Sequence, residues 1–101
     1  MTVFVAHQQS EDSSIRASKI ITQLQLENPT HCFIPATLAF EHLYNGDFSK
    51  GDIFEIEADL LSNCDQLLIV SDISPIMQKE IEFARMVGME VIDLADKYRT
   101  V

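Results

Sequence analysis

The chain has 101 residues, enough for one domain with one modest core, and 47% of them are hydrophobic, which indicates a globular protein. Its 16 acidic residues outnumber its 7 basic residues and give a formal net charge of -9. This balance argues against binding to a nucleic-acid polymer or to an anionic membrane, since both favour clustered Lys and Arg. A small ligand remains compatible with it, because a helix N-terminus can hold a phosphate locally.

A cytoplasmic location is expected from what the sequence lacks. Residues 1–6 are too short for the apolar region of a signal peptide and have no basic start, and no apolar stretch approaches transmembrane length. Cys32 and Cys64 form neither a CxxC motif nor a metal-type cluster. We expect both to be small core residues in a reducing compartment.

In chain order, short apolar runs alternate with helical patterns. Val3–Ala6 predicts a buried parallel strand and His31–Ile34 a second one. The helix between them ends at Asn28-Pro29. Its predicted N-cap is one of three serines, Ser10, Ser13 or Ser14. Its predicted apolar face consists of Ile15, Ile20, Ile21 and Leu24.

The middle of the chain is less regular, with a short helix predicted around 38–43. A further helix follows, with Asp52 as its predicted N-cap and Glu55 in a first turn where the dipole favours acids. Its apolar positions are Ile53, Ile56, Leu60, Leu61 and Cys64. Glu57 falls on the same apolar stripe.

The last third begins with the clearest buried strand, Gln66–Val70, followed by the loop 71–74. Ser74 is the predicted N-cap of the next helix, Pro75 its first residue and Gly88 its C-terminal stop. A final strand is predicted at 89–94, and 95–101 is expected to be a polar tail that frays.

This alternation predicts a single domain over 1–101, with an α/β, flavodoxin-like, doubly wound open sheet of about four parallel strands in the order 2-1-3-4. Ligands of such sheets bind at the carboxyl ends of the strands, where the strand order reverses. In this chain the reversal lies between residues 6–9 and the loop 71–74.

One glutamate stands on the wrong side of a helix. The apolar stripe of residues 74–88 consists of Ile76, Met77, Ile81, Phe83, Ala84 and Val87. Glu80 projects into the middle of it. A carboxylate in this position is costly unless it is paired or lies beside a cleft. It is therefore a functional residue, a buried glutamate held by a hydrogen bond, or part of a helix end that rises out of the core. Its place after the crevice loop favours function.

The remaining candidates are acids and histidines. No phosphate loop or GxSxG motif is present, and His7, His31 and His42 show no zinc spacing, so neither a metal nor a cofactor is predicted. Of the histidines, His7 is the best candidate for a ligand contact, because it leaves the first strand at the crevice. For Asp72 an Asx-turn or helix cap is an open alternative, and for Glu57 a helix edge that reaches solvent. Four acids are candidates to converge at the crevice. They are Glu80, Glu57, Asp72 and Glu55.

The segment Cys64–Asp72, followed by Ser74, Glu80–Ala84 and Gly88, resembles the nucleoside 2-deoxyribosyltransferase-like proteins, especially their small relatives. Val3–His7 is similar to the first strand and ligand loop of that family. The resemblance implies a nucleoside or nucleotide ligand and a homo-oligomer whose sites are completed by a neighbouring subunit.

The same resemblance implies roles for particular residues. Glu80 takes the place of the nucleophile that accepts the deoxyribosyl group. The loop residues Asp72 and Ser74 face the sugar and base, and His7 and Gln8 line the nucleoside pocket. Glu55 or Glu57 falls near a further pocket acid of the family.

Departures from the family pattern keep other functions open. Gln8-Gln9 replaces a proline and an aromatic residue, and Pro75-Ile76 replaces a glycine, which narrows backbone access to a ligand. The chain is also shorter than the established enzymes.

The expected function is N-glycosidic bond hydrolysis or deoxyribosyl transfer through Glu80. The alternatives are a non-catalytic nucleotide binder that sequesters or senses its ligand, and a protein-interaction module that retains the fold.

Overall fold

A computed structural model describes residues 1–36, 43 and 46–98. Within this part of the chain, the strands β1 (Thr2–Ala6), β2 (Cys32–Pro35), β3 (Gln66–Ile69) and β4 (Glu90–Asp93) form one sheet. All neighbouring strands pair in parallel, in the order β2-β1-β3-β4. The helices are α1 (Glu11–Glu27), α2 (Lys50–Ser62), α3 (Pro75–Met86) and the short α4 (Ala95–Tyr98). The predicted doubly wound α/β sheet and its strand order are confirmed.

Alternate residues of the central strands face two apolar layers, because successive side chains of a strand point to opposite faces. On one face, Phe4 and Leu67 pack with the buried residues of α2 and α3. On the other face, Val5 and Leu68 pack with those of α1 and with Tyr98. The sheet therefore separates an α2–α3 layer from an α1 layer.

Serine side chains begin the three longer helices. Ser10 caps α1 and Ser74 caps α3, as predicted, and Pro75 is the first residue of α3. Gly88 follows α3 with a φ of 78°, the left-handed conformation expected of a C-terminal stop. The prediction that Asp52 is the N-cap of α2 is wrong. The Ser49 hydroxyl accepts the Asp52 backbone N–H at 3.1 Å, so α2 begins three residues earlier than the predicted cap implied.

Several burial predictions fail at the ends and edges of elements. Cys32 is exposed because it is the first residue of β2, an edge strand that pairs only with β1. Ile15, Ile56 and Val87 are also exposed, at 50%, 43% and 49% of their surface. Ile15 lies in the second turn of α1, and Val87 caps the end of α3. Periodicity identifies the face of a helix but not how far the core extends along it.

The end of the chain also differs from the prediction. Residues 95–98 form α4 instead of a frayed tail, and both Ala95 and Tyr98 are buried. The predicted helix around 38–43, apart from the buried Leu43, and His42 lie outside the described residues, as do residues 99–101. None of the helices formed by the described residues is long and apolar enough to cross a membrane.

Candidate functional site

Glu80 lies on the buried face of α3. Ser74 and Pro75 fix the start of this helix, so that Met77, Glu80, Ile81 and Ala84 all face inwards. Only 2% of Glu80 is exposed, and within the described part of the chain its Oε2 atom has no hydrogen-bond partner. The predicted position of this acid on the apolar stripe is confirmed. A buried oxygen without a partner is costly, which makes Glu80 a candidate site residue.

A second buried acid approaches from the neighbouring helix. Glu57 of α2 is 5% exposed, so its predicted place on the apolar stripe is also confirmed. Burial raises the pKa of Glu80 from its ordinary value of 4.5 to about 8, and the nearby Glu57 charge adds to this rise. Because two adjacent carboxylates repel each other, the pair retains a proton near neutral pH. One member can then act as a base or nucleophile and the other as an acid.

A cleft of about 420 Å³ opens beside this pair, within the size range of small-molecule sites. We call it the acid cleft. Its described lining residues are Leu43, Gly46, Phe48, Ile53, Phe54, Glu57, Ile76 and Lys79. Glu57 belongs to the wall, whereas Glu80 is buried next to it, one helical turn after Ile76. The Phe54 ring is held edge-on against Phe83, with the ring centroids 6.2 Å apart and the planes at 87°.

The loops at the strand-order reversal line a different cleft, on the α1 side of the sheet. This smaller cleft of about 180 Å³ contains Gln8 and Asp72, together with Arg16, whose guanidinium donates to the Tyr98 carbonyl at 2.8 Å. Its other lining residues are Ser10, Asp12, Ser13, Ala17, Val70, Ser71 and Ala95. The predicted site residues are therefore not all in one cleft. Gln8 and Asp72 line the smaller cleft, and Glu57 lines the acid cleft.

The remaining predicted residues are not among the described lining residues of either cleft. His7 is 1% exposed, and its Nδ1–H donates to the Gln8 carbonyl at 2.9 Å. Burial lowers the pKa of His7, so the ring is neutral at physiological pH. The Ser74 hydroxyl accepts the Met77 N–H at 3.3 Å as the cap of α3. Glu55 is exposed on α2. Among the described residues, no group of three or more His, Cys, Asp or Glu could hold a metal ion.

Sequence reasoning missed most of the cleft wall. Lys79 is not part of the predicted apolar stripe of its helix, yet it lines the acid cleft. Phe48 and Phe54 also line it, although 49% and 45% of their surface is exposed. Phe54 lies one helical turn before the misplaced acid Glu57, and this spacing is the signal that could have revealed part of the wall.

A solved structure shares this fold. The CMP N-glycosidase BcmB of Clostridium botulinum superposes with a TM-score of 0.62 and 21% sequence identity, over 100% of this chain and 82% of that one. At this level of identity the likeness shows a shared fold. No protein-family model and no curated protein matches the sequence.

Proposed function

We propose that this protein cleaves the N-glycosidic bond of a nucleoside or nucleotide, with Glu80 as the nucleophile. The observation that carries the proposal is the pair of buried acids, Glu57 and Glu80, beside a cleft of ligand size. A buried carboxyl group with a raised pKa, such as that of Glu80, is typical of active sites. The fold shared with a CMP N-glycosidase supports the same substrate chemistry.

In the proposed reaction, the Glu80 carboxylate attacks the anomeric carbon of the sugar. The C1′–O ester bond forms as the C1′–N bond breaks, and the bonding pair leaves with the base. With the shared proton of the pair on Glu57, this carboxyl group protonates the departing base. Water then attacks the same carbon and the ester bond breaks, which frees the sugar and restores the Glu80 carboxylate. The proton that the water loses returns to Glu57. A second base in place of water would give transfer instead of hydrolysis.

Release of free base tests this proposal. Deoxynucleosides and nucleoside monophosphates are incubated with the protein, and free base is followed by chromatography. We expect release by the wild type and by Glu82→Gln, which changes an exposed acid on the same helix. Glu80→Gln should lose it. In Glu80→Ala, added azide should restore turnover and yield a glycosyl azide, because a small anion can replace the missing nucleophile. Equal release by the wild type and Glu80→Gln would exclude this role.

A non-catalytic nucleotide binder is the second candidate, and the raised pKa of Glu80 favours it. A carboxyl group with a pKa of about 8 is largely protonated at pH 7 and can donate a hydrogen bond to a ligand. In that case no base is released by any variant. Glu80→Gln would then keep its ligand affinity, because an amide also donates.

Self-association is a further part of the proposed function. The rim of the acid cleft carries Phe48 and Phe54, both about half exposed. A neighbouring subunit could cover these rings and complete the site, as the sequence resemblance implies. Light scattering coupled to gel filtration should give a mass above 11.4 kDa, and Phe54→Ser should reduce it.

A further inference from the structure

Lys79 places a positive charge on the wall of a cleft whose other charged lining residue, among those described, is Glu57. The chain has only 7 basic residues against 16 acids, so a lysine at this position needs an explanation. Lys79 is exposed, whereas Glu57 and Glu80 are 5% and 2% exposed. Within the described part of the chain, Lys79 has neither an ion pair nor a hydrogen bond.

Neutralisation of the acid pair does not account for this lysine. A cation acting on Glu80 would stabilise its carboxylate and lower its pKa. The pKa of Glu80 is instead raised, by burial and by Glu57. Among the described residues nothing pairs with Lys79, so a group that enters the cleft from solvent can reach it.

The difference in burial among the groups at the cleft describes a ligand with two different ends. Glu57 and Glu80 are buried, whereas Lys79 is exposed and so is about half of the surface of Phe48 and Phe54. A ligand that fits this difference carries a sugar and base towards the acids and an anion towards solvent. A neutral nucleoside offers nothing to the ammonium group, whereas a phosphate ester pairs with it directly.

We propose that Lys79 selects nucleoside monophosphates over nucleosides by pairing with the phosphate. This inference rests on the proposed function for its substrate class, and it adds a specificity residue to that site. Because Lys79 is exposed, we expect a roughly fivefold preference for the phosphate ester, a typical effect of one solvated charge pair.

Binding measurements test the inference apart from turnover. Titration calorimetry compares CMP with cytidine, using Glu80→Gln as the background so that neither ligand is consumed. The preference for CMP should disappear in Lys79→Gln and survive in Lys79→Arg. Lys19→Gln is the matched control, because it removes an exposed lysine from α1, on the opposite side of the sheet. Increasing salt should reduce the preference.

The outcomes separate this inference from the proposed function. Equal affinity for CMP and cytidine, binding of neither, or a preference that survives Lys79→Gln would overturn the role of Lys79. Inorganic phosphate that binds as tightly as CMP would also overturn it, since the site would then recognise an anion alone. If the preference depends on Lys79 but the wild type releases no base, the inference stands and the proposed enzymatic function fails.

Discussion

The backbone N–H of Gln8 donates to the side-chain hydroxyl of Ser71 at 2.9 Å, joining the loop after β1 to the loop after β3. Just before it along both segments, the Val70 N–H donates a backbone hydrogen bond to the Ala6 carbonyl at 3.2 Å. The two loops flank the point where the strand order reverses, the usual ligand position in doubly wound sheets. In this chain a hydrogen bond joins the two loops at that position, and the acid pair lies on α2 and α3 instead.

Loss of the Ser71 hydroxyl should therefore destabilise the protein. Ser71→Ala leaves the Gln8 N–H without its partner, and we expect the free energy of unfolding to fall by about 1–2 kcal/mol in urea denaturation. Ser62→Ala is the control, because that exposed hydroxyl donates only within α2, to the Asp59 carbonyl. Equal losses in the two variants would show that the bond between the loops adds nothing.

Stability should fall as the pH rises through the titration range of Glu80. Its pKa is raised from 4.5 to about 8 on folding, so the folded state binds the proton more tightly than the unfolded state. The stabilisation is complete below pH 4.5 and is lost by about pH 8, a change on the order of 5 kcal/mol. Melting temperatures at pH 5 and pH 8.5 should differ less in Glu80→Gln than in the wild type. Glu82→Gln should behave as the wild type.

Two variants of Ser74 can distinguish a role as the cap of α3 from a role as a ligand contact. As the cap of α3, Ser74→Ala should lower the free energy of unfolding by about 1 kcal/mol, and Ser74→Asn should restore most of it. Urea denaturation and nucleotide titration are measured on both variants. Unchanged stability with weakened binding would assign the hydroxyl to the ligand.

Ile76 should limit access to the acid pair. It lines the acid cleft one turn before Glu80, where the family resemblance implies a glycine. We expect Ile76→Ala to raise kcat/KM for base release by about tenfold if the removed side chain had obstructed the sugar, since close approach of reacting groups is worth at least that much. Ile56→Ala is the control, because Ile56 is exposed on α2 and does not line the cleft. Identical rates in the two variants would remove Ile76 as an obstacle.

The fold was predictable from sequence because its central strands are nearly continuous apolar runs. Segments such as Val3–Ala6 and Gln66–Val70 can be buried on both faces only between two helical layers. The position of Glu80 was predictable for a similar reason, since one helical period places it among apolar neighbours.

The division of the candidate site was not predictable in this way. Loop residues such as Asp72 follow no period, so nothing in the sequence indicates which side of the sheet they face. Lys79 is adjacent to Glu80 and lies about 100° around the helix from it. Periodicity therefore placed it in solvent, and only the packing of α2 beside α3 turns that surface into the wall of a cleft.

The exposed Cys32 has a practical use. The other thiol, Cys64, is buried, its Sγ donates to the Leu60 carbonyl at 3.5 Å, and burial raises its pKa, so it is the slower of the two to react. Cys32 begins β2, at the end of the sheet away from the loops after β1 and β3. A maleimide dye should therefore attach there selectively. The unmodified wild-type sequence thus offers an attachment point for a fluorescent reporter that leaves the acid cleft untouched.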